Sequence, residues 1–276
     1  MELPVDFHFS QGALQDFSDC KRRFLLRYVK ELAWPAIVAD PALEHERHLQ
    51  LGIQFHRLVQ QHQIGIPADS LSPLAQGALE LDQWWQNYLR FGPQGLPSLR
   101  YPEMALSAPL GNHRLVAKFD LIALEPGKRA VIVDWKTSKK PKKTWLAQRL
   151  QTRVYRYLLV QSGVHLNDGK LLKPEQVEMV YWFAAEPQAP ERFPYDRKQF
   201  DEDEAFLLEL VQQIEQLNEE GFTLTSDERH CRFCAYRSLC ERGVQAGAAG
   251  PDDEAVEPEG SLDLELSLEQ IGEISF

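Results

Sequence analysis

The chain has 276 residues, 43% of them hydrophobic and 26% charged, which suits one substantial folded core rather than a fibrous or disordered chain. No run approaches the roughly 18 consecutive apolar residues of a membrane-crossing helix, and the first ten residues lack the basic start and apolar stretch of a secretory leader. A cytoplasmic protein without a membrane partner is expected.

The net charge of −11 conceals an uneven distribution. Nine acids and no Lys or Arg fall within residues 251–276, so setting those nine aside leaves residues 1–250 at only −2. Positive charge gathers in two places, at Lys21, Arg22, Arg23, Arg27 and Lys30, and at Lys136, Lys139, Lys140, Lys142 and Lys143. Runs of this kind form solvated faces more often than binding sites, and become informative only beside a reactive centre.

Ser10 is placed to cap a helix running to about Tyr28, with Leu14, Phe17, Phe24 and Tyr28 near one face. Helical spacing returns over residues 44–63 and 73–89. The period then changes. Residues 114–125 and 130–136 are apolar, β-branched runs of strand length, joined by a turn at Pro126-Gly127-Lys128. Residues 144–161 read as a helix, 177–184 as a strand and 200–217 as a helix. Helices on both sides of a small sheet built around a hairpin predict an α/β fold, a three-layer α/β/α sandwich around a mixed sheet. Beyond about residue 242 the chain turns rich in Gly, Ala, Pro and acids. One domain over 1–242 and an acidic, disordered tail over 243–276 are therefore expected.

A three-residue loop at 126–128 would pair Glu125 with Arg129 and every later pair at residue numbers summing to 254. That register sets Asp120 opposite Asp134. Two like charges facing each other destabilise a sheet unless a cation compensates. Lys136 shares the face of Asp134, while Val133 and Trp135 point the other way. Two carboxylates and an ammonium suit phosphodiester hydrolysis: hard oxygens hold Mg2+ or Mn2+, and the lysine steadies the negative charge of the transition state.

Val131-Ile132-Val133-Asp134-Trp135-Lys136-Thr137 resembles the third motif of RecB-type nucleases of the PD-(D/E)xK superfamily, and the rest of their pattern follows in order. Gly52-x3-His56 resembles the first motif, Lys118-Phe119-Asp120-Leu121-Ile122 the second, and Gln151-x3-Tyr155 the one after. The resemblance implies a restriction-endonuclease-like core. It also implies a metal held by His56, Asp120 and Asp134, with the Trp135 carbonyl as a further donor, and Lys136, Gln151 and Tyr155 as catalytic or strand-positioning groups. Glu103, on a strand before the hairpin, is a candidate for the surrounding shell.

The four cysteines, Cys20, Cys231, Cys234 and Cys240, favour metal ligation over disulfides in an intracellular protein. Their chemistry admits a [4Fe-4S] cluster or Zn2+, with His230 able to replace Cys20 in a zinc site. Ser10-x3-Leu14-x2-Phe17-x2-Cys20-x-Arg22-Arg23-Phe24 and Cys231-x2-Cys234-x5-Cys240 resemble the iron-sulfur subgroup that includes AddB nuclease domains and CRISPR-associated RecB-like exonucleases. That resemblance implies a [4Fe-4S] cluster bound by the four cysteines in a helical lobe made by the two chain ends. Lys21 departs from the proline that often follows the first cysteine in AddB-like sequences.

Together these readings predict a metal-dependent exonuclease acting on single-stranded DNA ends in repair, recombination or CRISPR adaptation, in a groove lined by the two basic clusters. No Gly-x4-Gly-Lys-Ser/Thr loop is present, so a helicase, if needed, is another protein. The tail, with alternating Leu262, Leu264, Leu266 and Leu268, could join a partner's sheet or mimic DNA. The rival reading is a noncatalytic DNA- or partner-binding module of a nuclease/helicase complex.

Overall fold

The computed structural model describes residues 3–4, 7–32, 40–232 and 234–243, with residues 40–45 described as backbone alone. Residues 244–276, nearly all of the expected tail, lie outside the described residues. The strands are β1 (His8–Ser10), β2 (Leu99–Leu110), β3 (His113–Glu125), β4 (Arg129–Lys136), β5 (Val177–Phe183) and β6 (Glu191–Pro194). The helices are α1 (Gln11–Asp19), α2 (Lys21–Phe24), α3 (Asp40–Gln63), α4 (Ala68–Ala75), α5 (Leu79–Phe91), α6 (Lys143–Gln148), α7 (Leu150–Ser162) and α8 (Arg197–Gln216).

The six strands form one mixed sheet in the order β1-β3-β4-β5-β6, with β2 also on β3. β1 runs parallel to β3 and β4 parallel to β5, and the other pairings are antiparallel. Strand β4 is buried on both faces. Ala130 and Ile132 join the core formed with α1, α7 and α8, and Val131, Val133 and Trp135 join the core formed with α3, α4 and α5. Helices thus cover both faces, giving the expected α/β/α layers. Among the described residues no helix is long and apolar enough to cross a membrane.

Three predicted helices are each interrupted. The Ser10 hydroxyl accepts the Ala13 N–H at 3.0 Å, as a cap should, but the helix stops at Asp19. Cys20 is extended (φ −158°, ψ 106°), and the chain resumes as α2 and a π turn over Leu25–Val29. The run at 73–89 divides around residues 76–78. The run at 144–161 breaks at Arg149, whose ψ of 143° leaves the helical region. This break frees the Leu146 carbonyl to accept the Thr152 hydroxyl at 2.6 Å, and the side-chain bond replaces a helical one. Apolar periodicity continues through each break, because it records burial rather than backbone continuity.

The hairpin register is the one expected. Five pairs from Glu125↔Arg129 to Leu121↔Val133 keep the sum of 254, and Gly127 takes φ +74° in the turn. The β3–β4 ladder ends there, however, one pair before Asp120 and Asp134. Alternation along β3 also slips at this point, since Leu115, Ala117 and Phe119 share a core with Ile122 and Leu124. Direct opposition of the two aspartates is therefore not formed.

Candidate active site

The end of the β3–β4 ladder opens a fork in the sheet. β4 stays paired with β5 as far as Lys136↔Phe183, and β3 stays paired with β2 as far as Leu110↔His113. With β2 on one edge of β3, its other edge serves β4 over residues 121–125 and β1 over residues 114–116. Residues 117–120 face the gap between those two partners. Backbone groups in such a gap need other partners. The Lys118 carbonyl accepts the Tyr155 hydroxyl at 3.0 Å, and the Trp135 N–H donates to the Asp120 carboxylate at 2.9 Å.

Three elements deliver ligand atoms into this fork. His56 on α3 places Nδ1 3.4 Å from Asp120 Oδ2. Gly52, one turn earlier, allows the approach, since a β-carbon there would stand 3.2 Å from the Thr137 hydroxyl. Glu103 sits at the one position skipped in the β2–β3 ladder, across from Asp120, in a left-handed conformation (φ +54°) that a glutamate rarely adopts. Its carboxylate pairs with Lys118 at 2.5 Å. One donor atom from each of His56, Glu103 and Asp120 lies within 4.8 Å of the others. A nitrogen and two carboxylate oxygens so disposed form a hard donor set suited to a small divalent cation.

Asp134 and Lys136 stand on the β4 side of the fork. Asp134 is only 2% exposed, accepts the Gln151 amide at 2.7 Å, and holds the Lys136 ammonium at 3.0 Å. Gln151, expected as a catalytic or strand-positioning group, thus donates to the Asp134 carboxylate. Tyr181, beneath Lys136, shares a 2.8 Å bond with Thr152. Burial pushes the Tyr155 and Tyr181 hydroxyls well up, reinforced by Asp134, so both remain protonated.

The charges of the fork are strongly coupled to one another. Burial would lower the His56 pKa, but the Asp120 charge and hydrogen bond outweigh it and raise the value to about 9. Burial would raise Asp120, yet His56, Lys136 and the Trp135 N–H hold it below the ordinary carboxylate range. Glu103 is raised by burial and by the neighbouring Asp120 charge, with Lys118 opposing. A proton on His56 and the Lys118 ammonium occupy the place of positive charge that a metal ion would supply.

Residues 8–241, which include all of these groups, match the PD-(D/E)XK nuclease superfamily. The chain belongs to that superfamily. Phosphodiester hydrolysis is the chemistry of these nucleases, DNA is a substrate such an enzyme must bind, and divalent metals such as Mg2+ are their cofactors. Among solved structures, SSO0001 is 15% identical with a TM-score of 0.39, over 87% of this chain and 88% of that one. A presumed exonuclease from Eubacterium rectale is 11% identical with a TM-score of 0.49, over 84% of this chain and 94% of that one. No curated protein matches the chain.

The nuclease brings its four cysteines to one corner. The Cys20 segment meets the C-terminal turns through Arg22 N–H to Thr223 O at 3.1 Å, Arg23 to His230 O at 3.4 Å, and the Tyr236 hydroxyl to Leu32 O at 2.8 Å. No cysteine is in a disulfide. Burial raises both Cys234 and Cys240, and each is raised further by Cys20 and Cys231. Thiols are soft donors of the kind that bind zinc or iron-sulfur clusters. His230 turns instead toward Asp19 and Asp227, at 3.6 and 3.7 Å.

Acidic residues of the same chain engage much of both basic clusters. Much of the first is engaged internally: Arg23 with Asp16 and Asp19, Arg27 with Asp16, and Lys30 with Glu219. In the second, Lys136 pairs with Asp134 and Lys140 and Lys143 share Glu191, while Lys139, Lys142 and Lys143 are exposed. Glu103 and Lys118 entered the sequence reading only at its margins. The left-handed turn that aims Glu103 has no residue signature of its own.

Proposed function

We propose that this nuclease is a divalent-metal-dependent deoxyribonuclease, an exonuclease acting on single-stranded DNA ends, stabilised by a [4Fe-4S] cluster on Cys20, Cys231, Cys234 and Cys240. The observation that carries the reading is the fork, where His56 and Asp120 meet Asp134, Lys136 and Gln151 at the place the β3–β4 ladder stops. His56 and Asp120 would hold the metal, with Glu103, whose donor atom lies within 4.8 Å of theirs, and with Asp134 on the β4 side of the fork. Mg2+ or Mn2+ supplies Lewis-acid neutralisation of the phosphate there. Asp134 fixes the Lys136 ammonium, which faces the phosphate as negative charge builds on it. Gln151 keeps Asp134 oriented, and Tyr155 braces the Lys118 carbonyl at the edge of the gap. His56 must shed its proton to ligate, and Asp120 is held ionised for the same task.

Four thiols outside disulfides suit a reducing compartment, supporting a cytoplasmic location. Work on DNA ends in repair, recombination or CRISPR adaptation, with a helicase or another protein engaged through the acidic tail, extends the same reading.

The test uses anaerobically prepared protein on end-labelled single-stranded DNA, with and without Mg2+ or Mn2+, beside Asp134→Asn. Metal-dependent release of nucleotides from linear strands, sparing of circular strands, and loss in the variant are expected. A folded, iron-containing wild type that cuts nothing would instead favour the noncatalytic binding module. Equal iron and sulfide contents with a visible absorption band support the cluster, and zinc in their place excludes it.

A further inference from the structure

The geometry points to Trp145, backed by Arg149, as the platform on which an unpaired base stacks, and so as the residue that selects single-stranded over double-stranded DNA. The inference rests on the proposed deoxyribonuclease reading and adds its recognition element. A lone exposed apolar residue is ordinary on a protein surface. Three observations in conjunction set Trp145 apart.

The first is its exposure. Trp84, Trp85, Trp135 and Trp182 are at most 5% exposed, whereas Trp145 is 40% exposed. The second is its support. The Arg149 guanidinium lies 4.4 Å from the ring centroid, fixing one face of the indole and leaving a flat, polarised surface. Leu146, the next residue, is 1% exposed and its carbonyl takes the Thr152 hydroxyl at 2.6 Å. Thr152 accepts from Tyr181, and its neighbour on α7, Gln151, bonds Asp134. The ring therefore stands on a turn tied through α7 to the reactive carboxylate.

The third is charge. From Trp135 to Asn167 the sequence holds eight Lys or Arg and no acid, in a chain of net charge −11. Glu191 engages Lys140 and Lys143, and Asp203 engages Arg153 and Arg156. Lys139 and Lys142 are exposed in the segment leading to Trp145. Cations that track a backbone, interleaved with an aromatic face, are the chemistry of single-strand binding. A base within a duplex has both faces covered by its neighbours, so the same ring gains nothing from it.

The test is fluorescence anisotropy of full-length, cluster-containing protein with Ca2+ in place of Mg2+, using labelled oligo-dT, a hairpin duplex of equal length and an abasic oligomer. Trp145→Ala should weaken oligo-dT binding roughly tenfold while duplex and abasic binding stay as in wild type, and Trp145→Phe should recover most of the loss. Unchanged oligo-dT affinity in Trp145→Ala, or equal losses for oligo-dT and duplex, would overturn the inference. Binding is read without turnover. A protein showing this pattern yet unable to cut with Mg2+ or Mn2+ would sink the nuclease proposal and leave the stacking platform standing.

Discussion

Asp134 and Lys136 form a nearly buried ion pair, their side chains 3% and 10% exposed. Removing one partner strands the other, a loss of about 3 kcal/mol or more, whereas removing both is far milder. Lys136→Met and Asp134→Asn should each lower the urea midpoint, and the double variant should lose clearly less than their sum. Additive losses would show the pair to be uncoupled. All three variants should be inactive, so activity must be read beside stability. His56 gives a pH signature. Its folded pKa lies above its unfolded one, so its contribution to the metal-free protein is full below about pH 6.5 and is lost as pH rises through about 9. The His56–Asp120 pair shares at most roughly 3 kcal/mol. The metal-free melting temperature should fall across that interval in wild type and not in His56→Ala, and an unchanged slope in the variant would assign the titration elsewhere.

Helix α3 and strand β4 meet at Gly52, where the missing side chain sets how near His56 comes to the fork. Gly52→Leu should push α3 outward at about 1–3 kcal/mol of stability, while Mn2+ affinity, measured by calorimetry, falls at least tenfold. Wild-type affinity in a folded Gly52→Leu protein would show that the helix position is not limiting. The sequence pattern of elements was legible to differing degrees. β3 and β4 were read with their turn and register, because alternation and a Pro-Gly loop are local signals. β1 and β6, of three and four residues, carry too little pattern to stand out. The breaks at Cys20 and Arg149 passed unread, since each is set by contacts made elsewhere in the fold.

Across the whole molecule, the cysteines join segments separated by roughly two hundred residues. A cluster closing so long a loop would stabilise the fold on the order of 5 kcal/mol. Cys234→Ser should lose its iron and melt well below wild type, with proteolysis beginning in the C-terminal turns. A cluster-free variant melting like wild type would reduce the cysteines to bystanders, since ion pairs such as Arg23 with Asp16 and Asp19 already join the first helices.

The sequence by itself determined the chemistry available: which carboxylates, lysine, histidine and thiols the chain has, in what order, and on which strands and helices. Those features are local, carried by residue type, spacing and period. Only the tertiary structure decided where the β3–β4 ladder stops, that Asp120 turns to the Trp135 N–H, and that Glu103 and Lys118 reach the same fork. It also decided which basic residues are held by the protein's own acids, Arg23, Arg27 and Lys30 in the first cluster and Lys136, Lys140 and Lys143 in the second. These outcomes depend on competition among strands for one edge of β3 and among charges for partners, and no single segment contains both sides of that competition.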